Sequence, residues 1–165
     1  MTATTHRVWK FGDNVNTDVI YSGRYTYTIT ERSEMAQYAM EDLDPAFAKN
    51  ARPGDVIVAG RNWGNGSSRE QAVIALVELG IKAIIAESFA RIYYRNAINE
   101  GLLVIQCPEA VPYIETGDEV AIDVENATLT VGGRSFSFPR LPESVQKIVQ
   151  AGGLIAYLQQ TYQDE

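Results

Sequence analysis

The amino-acid sequence predicts a mixed α/β fold: a core of parallel strands with an additional antiparallel β lobe, organised as one domain over residues 1–165. Three observations carry this expectation. Between residues 55 and 106 short apolar runs alternate with helix-period segments, the pattern of parallel strands joined by crossover helices. From 120 to 138 the period changes to short alternating runs around Gly132-Gly133, a tight hairpin signal. A chain of 165 residues, 45% apolar and 21% charged, is large enough for one core.

The elements follow in order. Arg7-Val8-Trp9-Lys10-Phe11 alternates like a strand and ends at Gly12. A polar loop, Asp13-Asn14-Val15-Asn16-Thr17-Asp18, leads into Val19-Ile20-Tyr21. Thr30 or Ser33 is placed to cap a helix over roughly 31–42, with Met35, Tyr38, Ala39 and Met40 as its apolar face. Pro53-Gly54 punctuates the chain before a buried strand at 55–60. A helix after Ser68 stops at Gly80, and a second buried strand occupies 81–86. Ser88 opens a helix through Asn99 that ends at Gly101, followed by a strand at 102–105. Three short strands at 120–124, 128–131 and 134–138 precede a final helical stretch that Gly152-Gly153 interrupts.

Composition removes several classes of function. A net charge of −7 argues against nucleic acid and anionic membrane as partners, because both need basic surface. No apolar run approaches the ~20 residues of a membrane span, and the segment Met1–Arg7 lacks an apolar signal core, so the expected location is cytoplasmic. Cys107 is the single cysteine, so the chain has no internal disulfide and no thiolate set for a zinc or iron–sulfur site of its own. His6 is the single histidine, which excludes a multi-histidine metal site and disfavours a Ser-His-Asp triad.

The most informative stretch is Gly64-Asn65-Gly66-Ser67-Ser68-Arg69-Glu70, between a strand and a helix. Helix starts offer unpaired N–H groups that attract carboxylates and phosphates. On local pattern Ser67 with Glu70, or Ser68 with Gln71, is a capping box with no further role. That leaves the glycine pair and the arginine unexplained. The same stretch begins like the dinucleotide-binding G-x-G-x-x-G, with Glu87 some way on, but Arg69 stands where the third glycine permits close helix packing. No Gly-Lys-Ser/Thr of a phosphate loop is present.

A third reading covers more of the chain. Residues 62–72, Asn-Trp-Gly-Asn-Gly-Ser-Ser-Arg-Glu-Gln-Ala, resemble the signature of the swivelling domain of the aconitase superfamily. Ser88-Phe89-Ala90-Arg91-Ile92-Tyr93-Tyr94-Arg95-Asn96 with Asn99-Glu100-Gly101-Leu102-Leu103 resembles its second block. Gly12-Asp13-Asn14-Val15-Asn16-Thr17-Asp18-Val19-Ile20, followed by Gly23-Arg24-Tyr25, is similar to its opening. The length is similar to that of the family's separate small subunits, those of 3-isopropylmalate dehydratase and homoaconitase above all.

The resemblance implies an aconitase-type swivelling β/β/α domain and a hydro-lyase that works only with a large subunit, as a heterodimer or heterotetramer. The large subunit would hold a [4Fe–4S] cluster, and the substrate would be a di- or tricarboxylic hydroxy acid. By the same resemblance Ser67 is the catalytic base, and Arg24, Ser68 and Arg69 bind substrate. Tyr25, Thr26, Tyr27 and Thr28 form the loop that selects the substrate side chain; it carries no positive charge, which favours a substrate without a third, distal carboxylate. Asn65 stands where many relatives have a cysteine that is not a cluster ligand. Asp13 and Asp18 are read as loop and turn residues, Arg91 and Arg95, four apart on one helix face, as structural or interface residues with a place at the site as the alternative, and Cys107 as a buried apolar residue. An NAD-binding domain and a noncatalytic binding module remain as readings of a different class.

Overall fold

The structure, a computed structural model, describes residues 4–163. Strands β1 (Thr5–Lys10), β2 (Val56–Ala59), β3 (Ala83–Ala86) and β4 (Leu103–Gln106) run parallel. Strands β5 (Glu119–Asp123), β6 (Thr128–Val131) and β7 (Arg134–Ser137) continue the sheet antiparallel, giving the spatial order β4-β3-β2-β1-β5-β6-β7. β1 joins the two halves by dividing its length between two neighbours. Val8, Trp9 and Lys10 pair with Val56, Ile57 and Val58, whereas Thr5, His6 and Arg7 pair with Ala121, Val120 and Glu119. The predicted parallel core and antiparallel lobe are therefore one curled sheet.

Helices are α1 (Thr17–Ile20), α2 (Arg32–Met35), α3 (Phe47–Asn50), α4 (Gln71–Leu79), α5 (Arg91–Asn99), α6 (Glu143–Ala151) and α7 (Leu154–Gln163). The central strands are buried on both faces, which is why they read as continuous apolar runs. Ile57, Ala59, Ile84, Ala86 and Val104 face one core with Val73, Leu76, Tyr93 and Ala97 of α4 and α5. Val56, Val58, Ala83, Ile85, Leu103 and Ile105 face a second core, closed by Val120, Leu129 and Val131 of the antiparallel lobe. The layers are thus β lobe, parallel sheet and helices. Among the described residues no helix is long and apolar enough to cross a membrane.

The expected helix over 31–42 is the main local departure. α2 stops at Met35, a single 3₁₀ turn follows at Ala36–Tyr38, and Met40 takes a positive φ of 60°. The Met40 N–H bonds to the Ile20 carbonyl at 2.8 Å, so the chain leaves its helix to pack on α1. Met35, Ala39 and Met40 are buried as the apolar face predicted. Neither Thr30 nor Ser33 caps α2, whose N-cap is Glu31 with no side-chain bond. The end of the polar loop instead forms α1, capped by Asn16 Oδ1 accepting from the Val19 N–H at 2.9 Å.

Candidate functional site

Residues 60–70 leave the C-terminal end of β2 and cross to α4, the edge of a parallel sheet where ligands usually bind. Two neighbours hold this segment. On one side the fully buried Trp63 donates its backbone N–H to the Ser88 carbonyl at 3.1 Å, and its backbone carbonyl accepts from the Ala90 N–H at 2.9 Å, which places the start of α5 beside the turn. On the other side Gly64 N–H donates to Val15 O at 2.8 Å and Thr17 N–H to Asn65 O at 2.9 Å. Thr17 Oγ1 adds a bond to Ser67 O at 2.9 Å. The three blocks that carry the family resemblance meet here.

The glycines have a steric explanation. Gly64 has φ +82°, and a Cβ there would lie 2.3–2.6 Å from the buried ring of Tyr93. Gly66 has φ +97° but meets only ordinary contacts from Thr17 and Asn16. Gly64 thus lets Tyr93 approach, and Gly66 serves the backbone turn alone.

The expected caps do not form. α4 begins only at Gln71, with Glu70 as an N-cap that makes no side-chain bond, so neither proposed capping box exists. Gln71 Nε2 donates instead to Thr26 O at 3.1 Å. Ser88 Oγ accepts from the Asn62 N–H at 2.8 Å and does not cap α5, whose N-cap, Ala90, offers no side chain. Ser67 and Ser68 are exposed and line a cleft of about 430 Å³ between the turn and α5. The lining holds Arg69, Arg91 and Arg95 and no carboxylate, in a chain of net charge −7. Such a cleft favours an anion.

Arg69 is oriented from within the chain. Its Nη1 donates to Asp18 Oδ1 at 3.0 Å and its Nη2 to Tyr21 O at 2.5 Å, while buried Nε has no partner among the described residues. Asp18, read from sequence as a turn residue, also accepts from the Gly23 N–H at 2.8 Å. It therefore fastens the segment carrying Arg24 to Arg69. Arg24 itself does not line the cleft: its Nη2 donates to Asp42 Oδ1 at 2.5 Å and its Nε to Ser22 Oγ at 3.0 Å. That bond to Asp42 holds the guanidinium pKa above its usual value.

In the expected selectivity loop, Tyr25 donates to Glu41 Oε2 at 2.6 Å, a bond that raises its pKa, and it packs on Tyr38. Thr26 is tied to α4 by the Gln71 bond, whereas Tyr27 is 92% exposed and Thr28 is exposed. Asp13 accepts from the Arg61 N–H at 2.8 Å, which holds its carboxyl below the usual range, a loop role as expected.

The structure puts Arg91 and Arg95 at the cleft, the alternative their sequence reading kept beside a structural or interface role. Both line the cleft, one turn apart on α5, and neither makes an ion pair or side-chain hydrogen bond among the described residues. Sequence spacing put them on one helix face but gave no sign of which neighbour that face meets. Asp18 was missed for the same reason: its partner lies 51 residues away.

The donor set does not fit an iron–sulfur cluster. Cys107, the single cysteine, is buried in the second core, its thiol pKa raised chiefly by burial, and it lies outside the cleft. Nor does the turn fit a dinucleotide fingerprint, since residues 60–70 separate β2 from α4 where that motif requires a tight turn.

Known proteins resemble this chain in sequence and in fold. The aconitase C-terminal domain family matches residues 10–110. The 3-isopropylmalate dehydratase small subunit of Aquifex aeolicus is 49% identical over 154 residues, covering 92% of this chain and 91% of that protein. The 2,3-dimethylmalate dehydratase small subunit of Eubacterium barkeri is 47% identical, with 93% and 95% covered. The crystal structure of 3-isopropylmalate dehydratase from Methanocaldococcus jannaschii superposes with a TM-score of 0.89 at 44% identity, covering 96% of this chain and 94% of that one. With all three motif blocks gathered at one cleft of a matching fold, this chain belongs to the aconitase C-terminal domain family.

Proposed function

We propose that this chain is the small subunit of a 3-isopropylmalate dehydratase, a hydro-lyase that isomerises 2-isopropylmalate to 3-isopropylmalate together with a large subunit in the cytoplasm. The observation that carries the reading is the cleft in which the Ser67 hydroxyl stands beside arginines and no carboxylate. A dicarboxylate enters such a site on its charge, and a planar guanidinium holds a carboxylate by two parallel bonds. Arg69, set in place by Asp18 and Tyr21, binds one carboxylate, with the Ser68 turn beside it. Arg24 reaches substrate only by leaving Asp42.

Ser67 acts as the base. Its alkoxide takes the proton from the carbon next to a carboxylate, the C–H electron pair forms the C=C bond as the C–O bond on the neighbouring carbon breaks, and the departing hydroxide takes a proton from solvent to leave as water. Readdition of water with the positions exchanged gives the isomer. Serine is a weak base unless its anion is stabilised. The guanidinium groups that line the same cleft supply that stabilisation. The family's [4Fe–4S] cluster, when bound, supplies the Lewis acid that activates the hydroxyl. With Cys107 alone and buried, the reading assigns it to the large subunit.

The loop 25–28 carries no cation near its exposed Tyr27, which supports a substrate with an apolar arm in place of a third carboxylate. Val145 and Val149 of α6 pack against both cores, which supports reading residues 1–165 as one domain.

The test is Ser67→Ala in the complex reconstituted with its large subunit under anaerobic conditions. Turnover of 2-isopropylmalate falls about 10²- to 10⁴-fold, the contribution of a positioned base. Near-normal turnover, or a clear preference of the unaltered complex for homoaconitate, overturns the reading.

A further inference from the structure

Arginines gather around this turn in different states. Arg69 has given Nη1 to Asp18 and Nη2 to Tyr21 O, and Arg24 is held by Asp42 and Ser22. Arg91 and Arg95 have no protein acceptor among the described residues, yet both line the cleft opposite Ser67 and Ser68. At i and i+4 they share one face of α5 and repel each other unless an anion lies between or beside them. No carboxylate lines the cleft, and the carboxylates around the turn are already engaged, Asp18 by Arg69 and Asp42 by Arg24. Asn96 of the same helix adds an uncharged amide to the lining.

We infer that Arg91 and Arg95 form the second carboxylate grip of the substrate site. They bind the carboxylate that Arg69 does not hold, so that the dicarboxylate spans the cleft from the turn to α5. This assignment rests on the functional reading above. It divides the labour between an arginine pre-set by its own chain and two that stay open for the ligand. A volume of about 430 Å³ between these groups is adequate for a small dicarboxylate.

The experiment uses the reconstituted complex in the Ser67→Ala background, which binds substrate without consuming it. Binding of 2-isopropylmalate is measured by calorimetry with and without Arg91→Gln and Arg95→Gln, and subunit association is measured alongside. Both side chains are exposed, so an unchanged melting temperature confirms folding. The paired Gln variants weaken substrate binding about 10- to 100-fold, the scale of lost charge-assisted hydrogen bonds. Subunit association stays within about twofold, and Lys at both positions recovers part of the substrate affinity. Unchanged substrate affinity overturns the inference, and weaker subunit association at constant substrate affinity assigns the arginines to the partner interface instead. Full turnover by Ser67→Ala alone overturns the functional reading, so the two failures are distinguishable.

Discussion

Asp18 and Arg69, 51 residues apart in sequence, meet in an ion pair of 3.0 Å between Oδ1 and Nη1. The same oxygen accepts from the Gly23 N–H, so one carboxylate fixes both the guanidinium and the segment leading into the loop 25–28. The Arg69 side chain is 17% exposed and that of Asp18 70% exposed. The pair therefore does more to orient Arg69 than to stabilise the fold, since exposed ion pairs contribute about 0–1 kcal/mol.

Asp18→Asn tests this directly. We expect kcat/KM of the reconstituted enzyme to fall about 10- to 100-fold while the melting temperature changes little, because a misplaced guanidinium costs geometry and not packing. A large loss of stability with unchanged kinetics is the contrary outcome.

The two glycines of the turn have unequal roles. Gly64→Ala forces a Cβ to within 2.3 Å of Tyr93 Cγ and destabilises the fold by about 3 kcal/mol or more. Gly66→Ala meets no clash and costs about 1–2 kcal/mol from its left-handed backbone. Thermal or denaturant unfolding of the two variants checks the order.

Asp55 predicts a pH dependence. It is buried, and its Oδ2 accepts from Arg7 Nη2, Trp9 Nε1 and the Arg52 N–H, each at 2.9 Å. Burial pushes its carboxyl pKa up, but these donors outweigh burial and hold it below the usual value. A depressed folded-state pKa gives stability that is complete above the unfolded value of about 3.9 and is lost as pH falls below it. At pH 7 Asp55→Asn is less stable than the unaltered chain by about 3 kcal/mol. The gap narrows below about pH 4, which denaturant titrations at pH 7 and pH 3 measure.

Tyr27 is 92% exposed, so Tyr27→Arg leaves stability within about 0.5 kcal/mol. If the loop 25–28 selects the substrate arm, this cation raises the kcat/KM ratio of homoaconitate to 2-isopropylmalate about tenfold, the scale of one exposed to partly desolvated charge contact. Parallel rate measurements on both substrates decide it.

The alternation of parallel strands and crossover helices over 55–106, the hairpin at Gly132-Gly133 and the break at Gly152-Gly153 were legible in sequence. Each depends on local period or on glycine, and both survive folding unchanged. The helix at 31–42 was not, because the Met40 N–H found Ile20 O and no local signal encodes that partner. The capping boxes failed for a related reason: α4 starts only at Gln71, and Gln71 spends its side chain on Thr26.

By itself, then, the sequence determined the α/β class, the three motif blocks, the serine–arginine turn and the absence of a thiolate set. Those follow from residue type and short-range spacing. Only the tertiary structure decided which charges share a cleft. It separated Arg24 from the lining by pairing it with Asp42, turned Asp18 from a turn residue into the anchor of Arg69, and brought Arg91 and Arg95 across from Ser67. Electrostatics acts through distance in space, and chain separation carries no information about that distance until the sheet has closed.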